Sequence, residues 1–385
     1  MKIIFLEAVQ NLGGARKSTI ELAKRCQEQG HDVLIVDFWG SCQPFVELVE
    51  KNELNIKFLD KRDLPVIITS SNKFKFLINC FFYLFYMIRL KKRFRNIVEN
   101  FNPDIVSLNS DKCLSIVPRN GNFKIHFVAR GWFNSLPLKT KYIFKKYKDM
   151  VFFTVSQATR QAVYTGGLAK LENIHLLTTA IDFAIIDKVK EQSNFLPWDK
   201  SKQRPFVMHH CGGFLKTKGQ HISLEIAKKL KENNIAFKLY FTGIIYKGDI
   251  SDKYYNSFLK KIDEYKLTDE IEIIINSQEV LNYFCNSDIL LFPTYTEGLP
   301  RVALEAMAFG KPVIANPAGG VIDLVINNYT GYVAEFNDVD DYYNKIVKLI
   351  ENKDDYARIS QNAISMIKNT YAPSSQIECL SKFCK

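Results

Sequence analysis

Short apolar runs alternate with amphipathic stretches along the whole chain. This is the pattern of an α/β protein built on parallel sheets, whose buried strands read as continuous Val/Ile/Leu runs. The first series predicts strands at Lys2–Leu6, Asp32–Asp37, Asp104–Leu108, Lys124–Ala129 and Val151–Val155, with a helix at Arg16–Gln29 closed by Gly30. A second series predicts strands at Pro205–His210, Phe237–Thr242, Ile271–Ile275, Asp288–Phe292 and Val313–Ala315, with a helix at Gly219–Glu232. Between them, Lys188–Arg204 is rich in charge and contains Pro197, which reads as a linker. The expected organisation is two doubly wound α/β domains, residues 1–190 and 200–370. A C-terminal helix at about 371–385 is expected to pack back on the first domain. Two such domains predict a cleft between two sets of strand C-termini, where open α/β sheets take ligands.

Length agrees with two domains, since 385 residues exceed one ordinary core. The 47% apolar content argues against disorder. Eight scattered cysteines form no C-x-x-C pair and sit beside no histidine at ligand spacing, so they read as thiols of a reducing cytosol. The apolar run Ile3–Leu6 is too short for an export signal, which points to a cytoplasmic protein. Charge changes the picture more. Residues 1–200 hold 30 Lys+Arg against 19 Asp+Glu, and residues 201–385 hold 22 of each, so the whole net charge of +11 lies in the first half. That half is expected to meet something anionic.

The segment Phe292–Glu305 carries the readable chemistry. A buried strand ends at Phe292, a loop holds Glu297 and Gly298, and Pro300 suits the first turn of a helix that stops at Gly310. The helix N-terminus then offers free N–H groups to a phosphate-bearing ligand, with two carboxylates beside it for sugar hydroxyls. For an isolated Glu, solvation is the ordinary reading; the loop-then-helix setting is what singles out Glu297 and Glu305.

Glu297 and Glu305 within E-G-L-P-R-V-A-L-E-A-M-A-F-G-K-P-V-I-A resemble the signature of retaining glycosyltransferase family four, within the glycosyl transferases group 1. Gly319-Gly320-Val321 with Asp323 and Val325, Thr330-Gly331-Tyr332, Ala180-Ile181-Asp182 and Val155-Ser156-Gln157 resemble further family segments. The resemblance implies the GT-B fold, two Rossmann-like domains facing across a cleft. It implies transfer from a UDP- or GDP-sugar to a glycan or lipid-linked sugar, in surface polysaccharide assembly. It implies no cofactor and no metal. By the same resemblance Glu305 holds the donor's ribose, and Glu297 contacts the donor sugar with Gly298, Leu299, Pro300 and Arg301 nearby. Lys218 would neutralise the diphosphate, Gly13 and Gly14 would approach the donor phosphates, and Arg130 would stand where the family often has a histidine. Transfer would proceed on one face of the sugar, the acceptor hydroxyl giving its proton to the leaving phosphate. One departure is plain: the family has an arginine where this chain has Gly213, so a second cation must come from elsewhere, Arg301 being one source.

Two other readings stay open. Gly13-Gly14-Ala15-Arg16-Lys17-Ser18-Thr19 resembles a deviant P-loop ATPase of the chromosome-partitioning type, except that Arg16 stands where a P-loop needs glycine. Gly213 keeps open a non-catalytic relative that binds a sugar nucleotide. The dense apolar-aromatic run Phe76–Ile88, followed by Arg89, Lys91, Lys92, Arg93 and Arg95, is too short to span a bilayer. It fits peripheral contact with an anionic membrane through residues 76–95 as well as it fits a core helix. A second basic cluster comprises Lys139, Lys141, Lys145, Lys146 and Lys148. No nucleic-acid module accompanies these charges, so nucleic acid is not an expected partner.

Overall fold

The computed structural model describes residues 1–9, 11–60, 73–133, 137–147, 149–199, 201, 204–246, 249–277 and 279–385. Lys148 of the second basic cluster lies outside them, as does the side chain of Lys139. The chain divides into two compact units, Met1–Leu177 with Glu378–Lys385, and Thr178–Ile377.

The first unit is a parallel sheet of seven strands: β1 (Lys2–Glu7), β2 (Asp32–Asp37), β3 (Asn55–Phe58), β4 (Ile105–Leu108), β5 (Lys124–Ala129), β6 (Val151–Thr154) and β7 (Ile174–Leu176). Their order is β3-β2-β1-β4-β5-β6-β7. The period of two along each strand fills both faces. Ile4, Leu6, Leu34, Val36, Val106, Leu108, Phe127 and Phe152 join one core, which includes Tyr86, Leu90 and Phe94 of the long helix Lys73–Phe101. On the other face Phe383, from the terminal helix Ile377–Phe383, stacks on Phe5 at 5.9 Å and meets His126 and Phe153 edge-on at 5.0 Å each. Of the stretch 371–385, it is Glu378–Lys385 that belongs to the first unit.

The second unit is a parallel sheet of six strands: β8 (Phe206–Cys211), β9 (Phe237–Gly243), β10 (Ile271–Ile275), β11 (Ile289–Phe292), β12 (Val313–Ala315) and β13 (Gly331–Val333). The order is β10-β9-β8-β11-β12-β13. Alternation is visible on β11, where Ile289 and Leu291 face one core and Leu290 and Phe292 the other. The strands missed by pattern, β3, β7 and β13, are four residues or fewer and lie at or next to sheet edges, where partial exposure breaks the apolar run.

The expected linker needs correction. Phe183–Glu191 is a helix of the second unit, capped by Asp182, and Trp198 is buried there. The Trp198 ring meets Phe206 edge-on at 4.9 Å and its Nε1 donates to the Ile350 carbonyl at 3.1 Å. Charge density made the segment look solvated, while the Trp198 indole and the ion pair of Arg204 with buried Asp288 anchor it. Both sheets have the strand order that reverses direction at its first strand, the doubly wound arrangement the sequence pattern predicts.

Candidate active site

In the second unit the order reverses between β8 and β11, so their C-terminal loops diverge and leave a crevice. The loop after β8 carries Gly212 to Gly219, and the loop after β11 carries Pro293 to Pro300. One glycine lets these loops close on each other, and another brings the end of β9 against the first loop. Gly219 has φ +77, and a Cβ there would lie 2.0 Å from the carbonyl oxygen of Pro293. Gly243, at the end of β9, faces the Gly212 carbonyl at 2.1 Å in the same sense.

This approach brings Lys218 onto Glu297, with Nζ to Oε1 at 2.5 Å. Both side chains are largely buried, at 27% and 16% exposure. The Lys218 stem packs over Gly212. Thr294, fully buried, donates to the same Glu297 oxygen at 3.2 Å, while Tyr295 N–H donates to the Thr217 carbonyl at 2.9 Å. Asn316 donates to the Thr294 carbonyl at 3.0 Å and accepts from the buried Tyr342 hydroxyl at 2.9 Å. Gly320 N–H bonds the Glu297 carbonyl at 3.0 Å, which ties the Gly319–Asp323 turn to the loop. The carboxylate is therefore held by Lys218 and Thr294, and the loop that carries it is held by Asn316 and Gly320.

The helix after the loop is Arg301–Ala308, and Pro300 is its N-cap rather than its first residue. Gly310 follows with φ +75, the left-handed position that ends a helix. Ala303, Leu304, Ala306 and Met307 are buried, which leaves Glu305 half-buried on the other side. Arg301 Nε donates to Glu305 Oε1 at 2.7 Å, so the arginine considered as a second cation is engaged one turn away by the second carboxylate. Gly298 and Pro300 are buried and Leu299 packs into the adjoining core.

Gly213 has a packing reason. A Cβ there would meet the Tyr246 ring at 2.5 Å and its hydroxyl at 2.9 Å. Burial raises the Tyr246 phenol above its ordinary range, with Lys218 opposing and Glu297 adding to the shift, so the ring stands close to the ion pair. Gln220, fully buried, donates to the Gly213 carbonyl at 2.9 Å and fixes the loop from below. Sequence reasoning missed Tyr246, Thr294, Gln220 and Asn316. A glycine in an arginine's place is a signal that something else fills the space, but not of what.

The other predicted residues belong to the first unit. Gly13 is the N-cap of the helix Gly14–Glu28 in extended conformation, with open space where a Cβ would stand. Arg16 is fully buried: it bonds Asp37 at 2.5 Å, faces Glu7 at 3.7 Å and lies 3.5 Å over the Phe45 ring. A residue committed to two strand-end carboxylates is not part of a phosphate-wrapping loop, and the P-loop likeness ends there. Arg130, at the end of β5, borders the same cluster, in which Asn109 donates to Glu7 at 2.5 Å. Burial raises the Glu7 carboxyl above its ordinary value against the pull of Arg16. His126 is a core residue, its imidazole pushed down to about 3 by burial.

All eight cysteines are free thiols. Among the described residues no three His, Cys, Asp or Glu side chains are grouped to hold a metal ion, and no helix is long and apolar enough to cross a membrane.

Residues 192–366 match the family model described as glycosyl transferases group 1. The capsular polysaccharide biosynthesis glycosyltransferase CapM of Staphylococcus aureus is 27% identical over 226 residues, which is 58% of this chain and 57% of CapM. An uncharacterized glycosyltransferase of Haemophilus influenzae is 24% identical over 369 residues, 93% of each chain. Among solved structures, Anabaena HepE in complex with UDP-glucose superposes with a TM-score of 0.81 at 18% identity, covering 100% of this chain and 99% of HepE.

Proposed function

We propose, from the match of residues 192–366 to the glycosyl transferases group 1 model, that this chain is a retaining, metal-independent glycosyltransferase. Its donor is a UDP- or GDP-sugar and its acceptor a glycan or lipid-linked sugar of a surface polysaccharide. It works in the cytoplasm, with peripheral contact to an anionic membrane through residues 76–95. One observation carries the reading: Lys218 and Glu297 meet at 2.5 Å at the point where the second sheet reverses its strand order.

The chemistry follows from what each group can do. Lys218 is a mobile point charge that exchanges its carboxylate partner for the diphosphate of the donor, and it stabilises the charge that grows as the diphosphate departs. Glu297, released from Lys218 but still held by Thr294, accepts hydroxyls of the transferred sugar. Glu305, with Arg301 fixing one oxygen, accepts the ribose hydroxyls with the other. The positive end of the helix Arg301–Ala308 adds to the anion site. The acceptor oxygen bonds the anomeric carbon on the face from which the phosphate oxygen leaves, and the acceptor proton passes to that phosphate oxygen.

The test is a thermal-shift series with UDP, GDP, ATP and sugar conjugates on the wild type and Glu305→Ala. A ligand of the native state raises the midpoint, by about 2.7 kcal/mol of stability at a hundredfold excess over its Kd. UDP or GDP should raise it in the wild type and not in the variant. Stabilisation by ATP alone, indifferent to the substitution, would overturn the reading.

A further inference from the structure

The long helix Lys73–Phe101 has two unlike faces. Tyr86, Leu90 and Phe94 point into the core of the first unit and are at most 4% exposed. On the opposite side Phe74, Leu77, Phe81, Leu84 and Ile88 recur at steps of three and four, one stripe of a helix, and each is more than half exposed. Ile78, Phe82 and Phe85 flank that stripe at 40%, 60% and 55% exposure. Soluble surfaces rarely carry a contiguous apolar patch of this extent without a partner.

The same stripe continues, again at steps of three and four, to Lys91 and Arg95. These two cations line a groove of about 260 Å³ with Arg119, Lys146, Ser115 and Tyr147. No acidic side chain lines it among the described residues. Tyr147 turns its hydroxyl to the carbonyls of Leu114 and Val117, which shapes the wall, and Lys146 lies over the Tyr142 ring at 4.1 Å. Four cations without a carboxylate among them repel one another and are relieved by a bound anion. At about 1.5 Å per residue, the apolar part from Phe74 to Ile88 is about 21 Å long and ends one turn before the groove. Hydrocarbon-matching and phosphate-matching surfaces are thus joined end to end on one helix.

We propose that this groove binds the phosphate of an anionic membrane lipid, with the hydrocarbon of the bilayer against the Phe74–Ile88 stripe, so that the first unit docks on the membrane surface. The occupant is a lipid of the bilayer and not a free phosphate: charge complementarity fixes the headgroup, and the apolar stripe running out of the groove leaves a free anion nothing to cover it. A helix with an apolar face and a basic end lies in the interface and does not span it. The inference deepens the membrane contact of the proposed function, but stands on the first unit alone. Vesicle binding is read without turnover, so its failure leaves the transferase reading standing.

The experiment is co-sedimentation of the full chain with phosphatidylcholine vesicles, with and without about a quarter phosphatidylglycerol, across a salt series. The chain should pellet with the anionic vesicles and not with the neutral ones, and salt should weaken the binding. Lys91→Gln with Arg95→Gln should weaken it about thirtyfold. Phe81→Ser with Phe85→Ser should abolish it; both rings are exposed, so the fold is untouched, which an unchanged thermal midpoint checks. Equal binding to neutral vesicles, or binding indifferent to Lys91 and Arg95, would overturn the proposal. So would inorganic pyrophosphate binding without vesicle binding. Self-association abolished by the Phe81/Phe85 variant, with no vesicle binding, would assign the stripe to a second copy and overturn it as well.

Discussion

A Cβ on Gly213 would sit 2.5 Å from the Tyr246 ring, so what fills the place of the family's arginine is an aromatic side chain from another loop. The substitution is coupled, and the coupling is testable. Gly213→Arg alone should destabilise the second unit by about 1–3 kcal/mol, the ordinary cost of overpacking. Gly213→Arg with Tyr246→Ala should recover the thermal midpoint, because the ring is what the new side chain meets. If the double variant is no more stable than the single one, Tyr246 is not the obstacle. Glu297 and Glu305 were legible because their spacing straddles a loop and a helix start. Their partners were not: Thr294 bonds Glu297 inside one loop, and Asn316 reaches that loop only because the 316 turn lies against the end of β11. Arg16 makes the same point from the other side. Its sequence neighbours suggest a phosphate loop, but burial against Asp37, Glu7 and Phe45 gives it a structural task.

Among the elements, the loop between β8 and the helix Gln220–Glu232 does most to build the site. Its left-handed Gly219 lies against the Pro293 carbonyl, and only that approach sets Lys218 on Glu297. Gly219→Ala should therefore cost more than the about 1–2 kcal/mol of a left-handed alanine, because the backbone of the β11 loop must also move. The second sheet should survive, and the expected signature is a folded chain with far-UV circular dichroism intact that no longer gains stability from UDP or GDP. Retained nucleotide stabilisation would show that the two loops tolerate separation. Among strands, long central ones were read to within a residue or two of their ends, because a strand buried on both faces must be a continuous apolar run. β3, β7 and β13 are short and escaped. The 188–204 segment was misread because its anchors, Trp198 and Arg204, stand amid charge.

At the scale of the whole molecule, three imidazoles are sealed in the two units: His126 in the first, His209 and His210 in the second, each held at about 3 by burial against an ordinary 6.5. The unfolded chain takes up these protons near 6.5 and the folded chain refuses them, so the stability they carry is complete above 6.5 and falls as pH drops toward 3. Each makes the loss of stability steeper in that window. Glu7, whose carboxyl burial raises, acts in the opposite sense. Thermal midpoints should decline from about pH 7 to about pH 5, and His126→Phe should flatten the decline of the first unit. A midpoint that is level over this range would refute the account. His126 takes part in a packing that joins residues 126, 153 and 383, remote in sequence. Local periodicity and turn chemistry were enough to specify the two-sheet α/β class, most strand positions and the two carboxylates flanking a helix start. Which loops touch, what fills the space at Gly213, the burial of Arg16 and the outward face of the 73–101 helix came from packing between distant segments. Those depend on which surfaces meet, and a chain's local pattern does not encode its neighbours in space.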